Sequence, residues 1–153
     1  MDRRTALARV LGGTLTAGFA LTGCDLLSPE PPPPHPLQAM LDDTRAILSR
    51  YESVLAAQPG LAERLNPLRD NHHTHVTELA KLIGPGASAS PSAAASSPGL
   101  VPSEERATLA ALRTAEKEGQ TYATKACLSA KPEYAGLLGS IAACRATHRE
   151  VLK

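Results

Sequence analysis

Residues 37–153 of this sequence predict an all-α fold, a four-helix bundle of two antiparallel helical pairs joined by a long crossover. Three observations carry that expectation. Apolar residues recur at three- and four-residue intervals in four stretches, with no strand-like alternation anywhere. Aromatic residues are only 3% of the chain, with no Trp and one Phe. The core must therefore be Leu, Val, Ile and Ala, which suits closely packed helices better than a sheet. Finally, an uncharged segment, 84–102, separates the four stretches into two pairs. An up-and-down bundle with a loose middle loop is the alternative topology.

The chain begins with Arg3, Arg4 and Arg9, followed by an uncharged apolar run over residues 10–22 and then Leu21-Thr22-Gly23-Cys24. A basic end, an apolar core and small residues before a cysteine make residues 1–23 a lipoprotein signal peptide, with that tetrapeptide as its lipobox. Cys24 is then the lipidated residue, since a cysteine thiol is the only side chain of that tetrapeptide able to carry a diacylglyceryl thioether, and palmitate is the kind of acyl chain expected. Arg3-Arg4 with Leu7 also resembles a twin-arginine leader, so either export route is open. The apolar run is shorter than the roughly 20 residues a membrane-spanning helix wants. The expected location is the extracytoplasmic face of the cell membrane, with the lipid on Cys24 as the attachment.

Residues 24–36 form a proline-rich tether, which favours an extended polyproline conformation at about 3.1 Å per residue. A first helix spans about 37–57, carried by Leu37, Met40, Leu41, Ile47, Leu48, Tyr51 and Leu55, and ended by Pro59-Gly60. The next apolar series is Leu61, Leu65, Leu68, Val76, Leu79, Leu82 and Ile83. Asn66-Pro67 falls inside it, as an N-cap with proline in the first turn or as a kink in one helix. The unbroken phase favours one kinked helix. Ser103 is placed to cap a third helix running to about 129, with Glu104 and Glu105 in its first turn. Pro132 and Glu133 open a fourth, with Leu137, Leu138, Ile141 and Leu152 on its stripe.

The leader takes three Arg and one Asp with it, leaving 13 basic and 14 acidic residues in the mature chain. Such a balance argues against nucleic acid as a partner. Cys127 and Cys144 remain. With one near the end of a helix and one part-way along the next, their heights differ by roughly 13 Å, whereas a disulfide needs Cα atoms within about 7 Å. Free buried thiols are expected over a bridge.

Polar residues fill gaps in the apolar stripes. Helical spacing turns His72 and His75 inward on the second helix, Glu116 on the third, and Arg145 and His148 on the fourth, with Glu52 at the edge of the first stripe. Such groups are costly in a core unless paired, hydrogen-bonded or bound to metal. Arg145 is expected to pair with Glu116 across the bundle.

Lipobox, tether and two helical pairs, with residues 61–82 as the second helix and 137–148 as the last, resemble a group of uncharacterised bacterial lipoproteins with a ferritin-like domain. That resemblance implies a ferritin-like four-helix bundle, in which two helices each give a Glu and two give Glu-x-x-His. By position, Glu52 and Glu116 are the single carboxylates, and His72-x-x-His75 and Arg145-x-x-His148 the paired motifs. Both pairs depart from the pattern: His72 and Arg145 stand where Glu is expected, so the site lacks the negative charge of a carboxylate-bridged metal pair. A single iron or zinc on His72, His75, Glu116 and His148 is the metal alternative, and a polar cluster without cofactor is the plainer expectation.

There is no Gly-x-Ser-x-Gly elbow, phosphate-cradling glycine loop or His-Glu-x-x-His, and the two cysteines lie far outside Cys-x-x-Cys spacing. Catalysis is not expected. The functional expectation is a membrane-anchored, non-catalytic binding or structural module, with an altered metal-binding redox or storage protein as its rival. Gly136 and Gly139 offer a face to a close-packed protein partner, although packing within the bundle is their commoner use.

Overall fold

The computed structural model describes residues 33–87 and 101–153. The leader, Cys24, the tether up to residue 32, and residues 88–100 of the connecting segment lie outside the described residues. Among the described residues the fold is all-helical: α1 (Gln38–Ala57), α2 (Ala62–Ile83), α3 (Glu105–Ser129) and α4 (Pro132–Val151), with short 3₁₀ turns at Pro59–Leu61 and Gly84–Gly86. No helix among them is long and apolar enough to cross a membrane.

Two apolar clusters fix how the helices run. One joins Leu37, Met40 and Leu41 at the start of α1 to Leu79 near the end of α2, Ala123 late in α3, and Leu138 and Ile141 early in α4. The other joins Tyr51 and Val54 late in α1 to Leu65 and Leu68 early in α2, Leu109 and Leu112 early in α3, and Leu152 after α4. Hence α1 and α4 run one way, α2 and α3 the other. The chain leaves α2 at the end where α1 begins, the tether end, and enters α3 at the far end. That is two antiparallel hairpins joined by a crossover. α1 packs against α2 and α3, and α4 against α3 and α2.

Local chemistry sets the boundaries. α2 runs unbroken through Pro67, near its start, where the missing N–H costs a single hydrogen bond. Gly84, at φ +72°, ends α2 in the left-handed region that a side chain resists. The expected Ser103 cap does not form: α3 starts two residues later, and its N-cap residue, Glu104, makes no side-chain cap. Thr108 Oγ1 donates instead to the carbonyl of Pro102 (3.1 Å), and Gln58 Nε2 reaches both Pro102 O (2.7 Å) and Thr108 Oγ1 (3.0 Å). At the tether end Arg45 holds the carbonyl of Ala87 at 3.0 Å. Both ends of the crossover are thus tied to α1.

Cys127 and Cys144 are free thiols, each half-buried rather than buried as expected. Gly139 lies against Cys127 inside the α3/α4 hairpin, while Gly136 faces open space.

Candidate metal centre

Between the two apolar clusters every helix interrupts its stripe at the same height. α1 does so with Thr44, α2 with His72 and His75, α3 with Glu116 and Gly119, and α4 with Arg145 and His148, all of them buried. The pairs on α2 and α4 are spaced i, i+3, which puts both members on one helical face. A polar layer therefore crosses the middle of the core.

Glu116 is its hub. One carboxylate oxygen, Oε1, accepts from the Tyr51 hydroxyl at 2.8 Å, from His72 Nε2 at 2.7 Å and from His148 Nδ1 at 2.9 Å. The other oxygen is buried without a hydrogen-bond partner, as are Nδ1 of His72 and Nδ1 of His75. On its far side His148 Nε2 meets the Cys144 thiol at 3.2 Å and the Asn71 amide at 3.2 Å.

The protonation pattern follows from these contacts. Burial opposes charge on Glu116, but hydrogen bonds from His148 and His72 outweigh it and hold the carboxyl at about 2. Burial likewise opposes charge on His148, yet Cys144 and Glu116 raise it to about 9. His72 is lowered, chiefly by burial, so it is a neutral ring giving Nε2–H to Glu116 and keeping an unused lone pair on Nδ1. Burial first, and then the neighbouring His72, Arg145 and His148, lower His75 to about 4. Burial and the Glu116 charge raise the Tyr51 phenol, which stays a neutral donor. At neutral pH the hub is a carboxylate–imidazolium pair flanked by a phenol and a neutral imidazole.

The expected Arg145–Glu116 pair is replaced by another. Arg145 Nη2 donates to Asp43 Oδ2 on α1 at 2.7 Å. The reason is steric: the guanidinium lies over the Cα of Gly119, where a Cβ would collide with it. Glycine opens a slot across α3, and the charge passes through it to half-exposed Asp43, where water helps solvate the pair. Glu52 is also not where the resemblance puts it. It is exposed, and its neighbour Tyr51 points inward, because one residue turns a helix by about 100°.

Of the proposed ligands, His72, Glu116 and His148 each offer an atom, all within 4.8 Å of one another, and this buried group could hold a metal ion. His75 is buried one turn further on, its ring centroid 6.3 Å from that of His72. The donor set fits a single ion. Two imidazoles and one carboxylate suit zinc or iron once His148 has given up the extra proton it holds at neutral pH, and Glu116 Oε2 and His72 Nδ1 are unused lone pairs. His72 Nε2 and His148 Nδ1 sit at hydrogen-bond distance from Oε1, whereas ligands on one tetrahedral zinc stand roughly 3.3 Å apart. The set does not fit a carboxylate-bridged pair of ions, because Glu116 is the one fully buried carboxylate among the described residues.

Tyr51, Asn71, Cys144 and Asp43 complete the surroundings. Tyr51 reads in sequence as a core aromatic, and no local pattern marks its hydroxyl. Cys144 lies four residues before His148, a helical spacing that puts the two side chains together. No family model, curated protein or solved structure matches the chain.

Proposed function

We propose that this protein is a lipid-anchored extracytoplasmic lipoprotein whose ferritin-like bundle is a non-catalytic module binding one divalent transition-metal ion, zinc or iron. The anchoring part rests on the lipobox ending at Cys24 and the proline-rich stretch that leads into α1. The binding part rests on one observation, the convergence of His72, Glu116 and His148 within 4.8 Å in the buried core. Unused lone pairs on Glu116 and His72 support it, since buried acceptors without partners are costly in a core that has no use for them. The helix order, with one crossover and a polar layer at mid-height, supports the ferritin-like reading. Catalysis finds no support, because the site is closed to solvent.

A second reading has its own observation. The layer is electrically balanced and hydrogen-bonded without any ion, through three donors on one Glu116 oxygen, so it can serve as a structural hub that keeps the four helices in register.

Metal analysis of residues 25–153, purified after growth with zinc and iron, separates the two. The metal reading expects about one ion per chain, a rise in melting temperature on adding zinc to stripped protein, and loss of both in folded His148→Ala. His75→Ala should keep the ion. Metal-free protein whose melting is indifferent to added zinc or iron would leave the structural hub. Acyl labelling in cells, lost in Cys24→Ser, tests the anchor.

A further inference from the structure

We propose that the tether end of the bundle is a membrane-docking face that rests on an anionic lipid surface. This goes beyond the metal site and rests on the lipid-anchor reading. The chain enters α1 at this end through Pro33–Pro36, and the residues from Cys24 to Pro36 reach about 40 Å when extended. A lipid on Cys24 would hold this end within about 40 Å of the bilayer.

The end itself suits that neighbour. Leu128, in the last turn of α3, is 84% exposed, and Leu82, at the close of α2, is 45% exposed. Both are large apolar groups facing solvent. Lys125 and Lys131 lie three residues either side of Leu128, and Lys81 precedes Leu82 on α2, which has no contact with α3; all three lysines are exposed and without an ion pair among the described residues, while Glu133 is the exposed acid in the same α3–α4 turn. A cavity of about 300 Å³ opens at the α3–α4 turn, where Leu37 and Met40 meet Tyr122, Ala126, Tyr134 and Leu138. Tyr122 and half-buried Tyr134 bring rings with one apolar and one polar end, which favour the headgroup level. Asp42 and Asp43 lie near Tyr122, so this end is not free of acids, and the opposite end also exposes one large apolar side chain, Val151, beside Glu150 and Lys153.

An exposed leucine inserting between headgroups, with lysines over anionic lipid, gives weak partition, each lysine raising it by about fivefold. Weak binding suffices for a tethered domain, because the anchor holds the face at high effective concentration. Docking would turn α1–α4 upright on the membrane.

The test uses unacylated residues 25–153, which contain the whole folded unit from Pro34 on. Sedimentation with vesicles of phosphatidylglycerol and phosphatidylcholine is compared with vesicles of phosphatidylcholine alone. Measurable partition to the anionic vesicles is expected, reduced at least fivefold by Leu128→Asp with Lys131→Glu and unchanged by Val151→Asp. Both changed residues of the first variant are exposed, so folding is not at stake. Equal or absent binding to the two vesicle types, an unaffected double variant, or an equal loss in Val151→Asp would overturn the proposal. Because this chain lacks Cys24, a failed anchor shows in acyl labelling and a failed face shows here.

Discussion

His148 Nδ1 and Glu116 Oε1, 2.9 Å apart in the core, join neighbouring helices α4 and α3 through a buried imidazolium–carboxylate pair. Replacing Glu116 with Gln removes the negative member and leaves the positive one without a counter-charge. Breaking a buried pair from one side costs about 3 kcal/mol or more, or on the order of 10 °C in melting temperature for a domain this size. His148 should then lose its proton well below the about 9 it holds in the intact pair. Thermal melts at pH 7 and an NMR titration of the His148 ring check both. A melting temperature within a degree of the parent would mean that the pair does not hold the helices.

Stability should peak near neutral pH, and each side of the peak has its own residue. His148 is raised, so its contribution is fully present below the ordinary histidine value of 6.5 and is lost as pH rises through about 9. That loss amounts to on the order of 3 kcal/mol. His75 is lowered to about 4, and His72 is lowered too. Between pH 6.5 and 4 the unfolded chain takes up protons that the native rings refuse, so stability falls with falling pH. Glu116, held at about 2, keeps its own support until far lower pH. Urea unfolding at pH 5, 7 and 9 should give the largest value at 7. A profile still rising from 7 to 9 would contradict the charged state of His148.

Much of this layer is legible in the sequence, for one reason. His72, His75, Glu116, Arg145 and His148 each sit three or four residues from leucine or alanine core positions, and the helical period alone turns them inward. The topology is legible too, because the uncharged segment between the pairs is long enough to cross the bundle. What sequence spacing does not carry is where an inward charge finds its partner. Asp43 is half-exposed and adjoins Asp42, so it reads as part of a solvated face, and Gly119 reads as one more small stripe residue. The Arg145–Asp43 bond depends on both, through a slot visible only in three dimensions. Ser103 fails as a cap because Gln58 and Thr108 tie down the start of α3 by other bonds.

Tyr51 and Glu52 test the rotational phase of α1. Tyr51→Phe removes one of three donors on Glu116 Oε1 and leaves two, so no acceptor becomes newly orphaned. The expected cost is about 1 kcal/mol. Glu52→Ala, at an exposed position, should stay within about 0.5 kcal/mol of the parent. Chemical denaturation of the two variants checks the order. A larger loss in Glu52→Ala would restore Glu52 to the core and displace Tyr51 from the hub.

Gly119 and Arg145 make the most specific prediction, because the two should fail together and recover together. Alanine in place of a mid-helix glycine normally stabilises by about 1 kcal/mol. At position 119 the new Cβ meets the Arg145 guanidinium, which cannot withdraw without leaving Asp43 or burying an unpaired charge. Gly119→Ala should therefore destabilise by about 2–4 kcal/mol, the range for overpacking and a broken buried pair. Arg145→Met removes the charge and leaves Asp43 half-exposed, where water can take over its solvation. With the slot emptied, Gly119→Ala should become neutral or mildly stabilising in that background. The double-mutant cycle therefore gives a coupling energy of at least 2 kcal/mol, large for two residues with no hydrogen bond between them. Additive effects would mean that the guanidinium does not pass over Gly119 in solution, and that Arg145 reaches its counter-charge by another path.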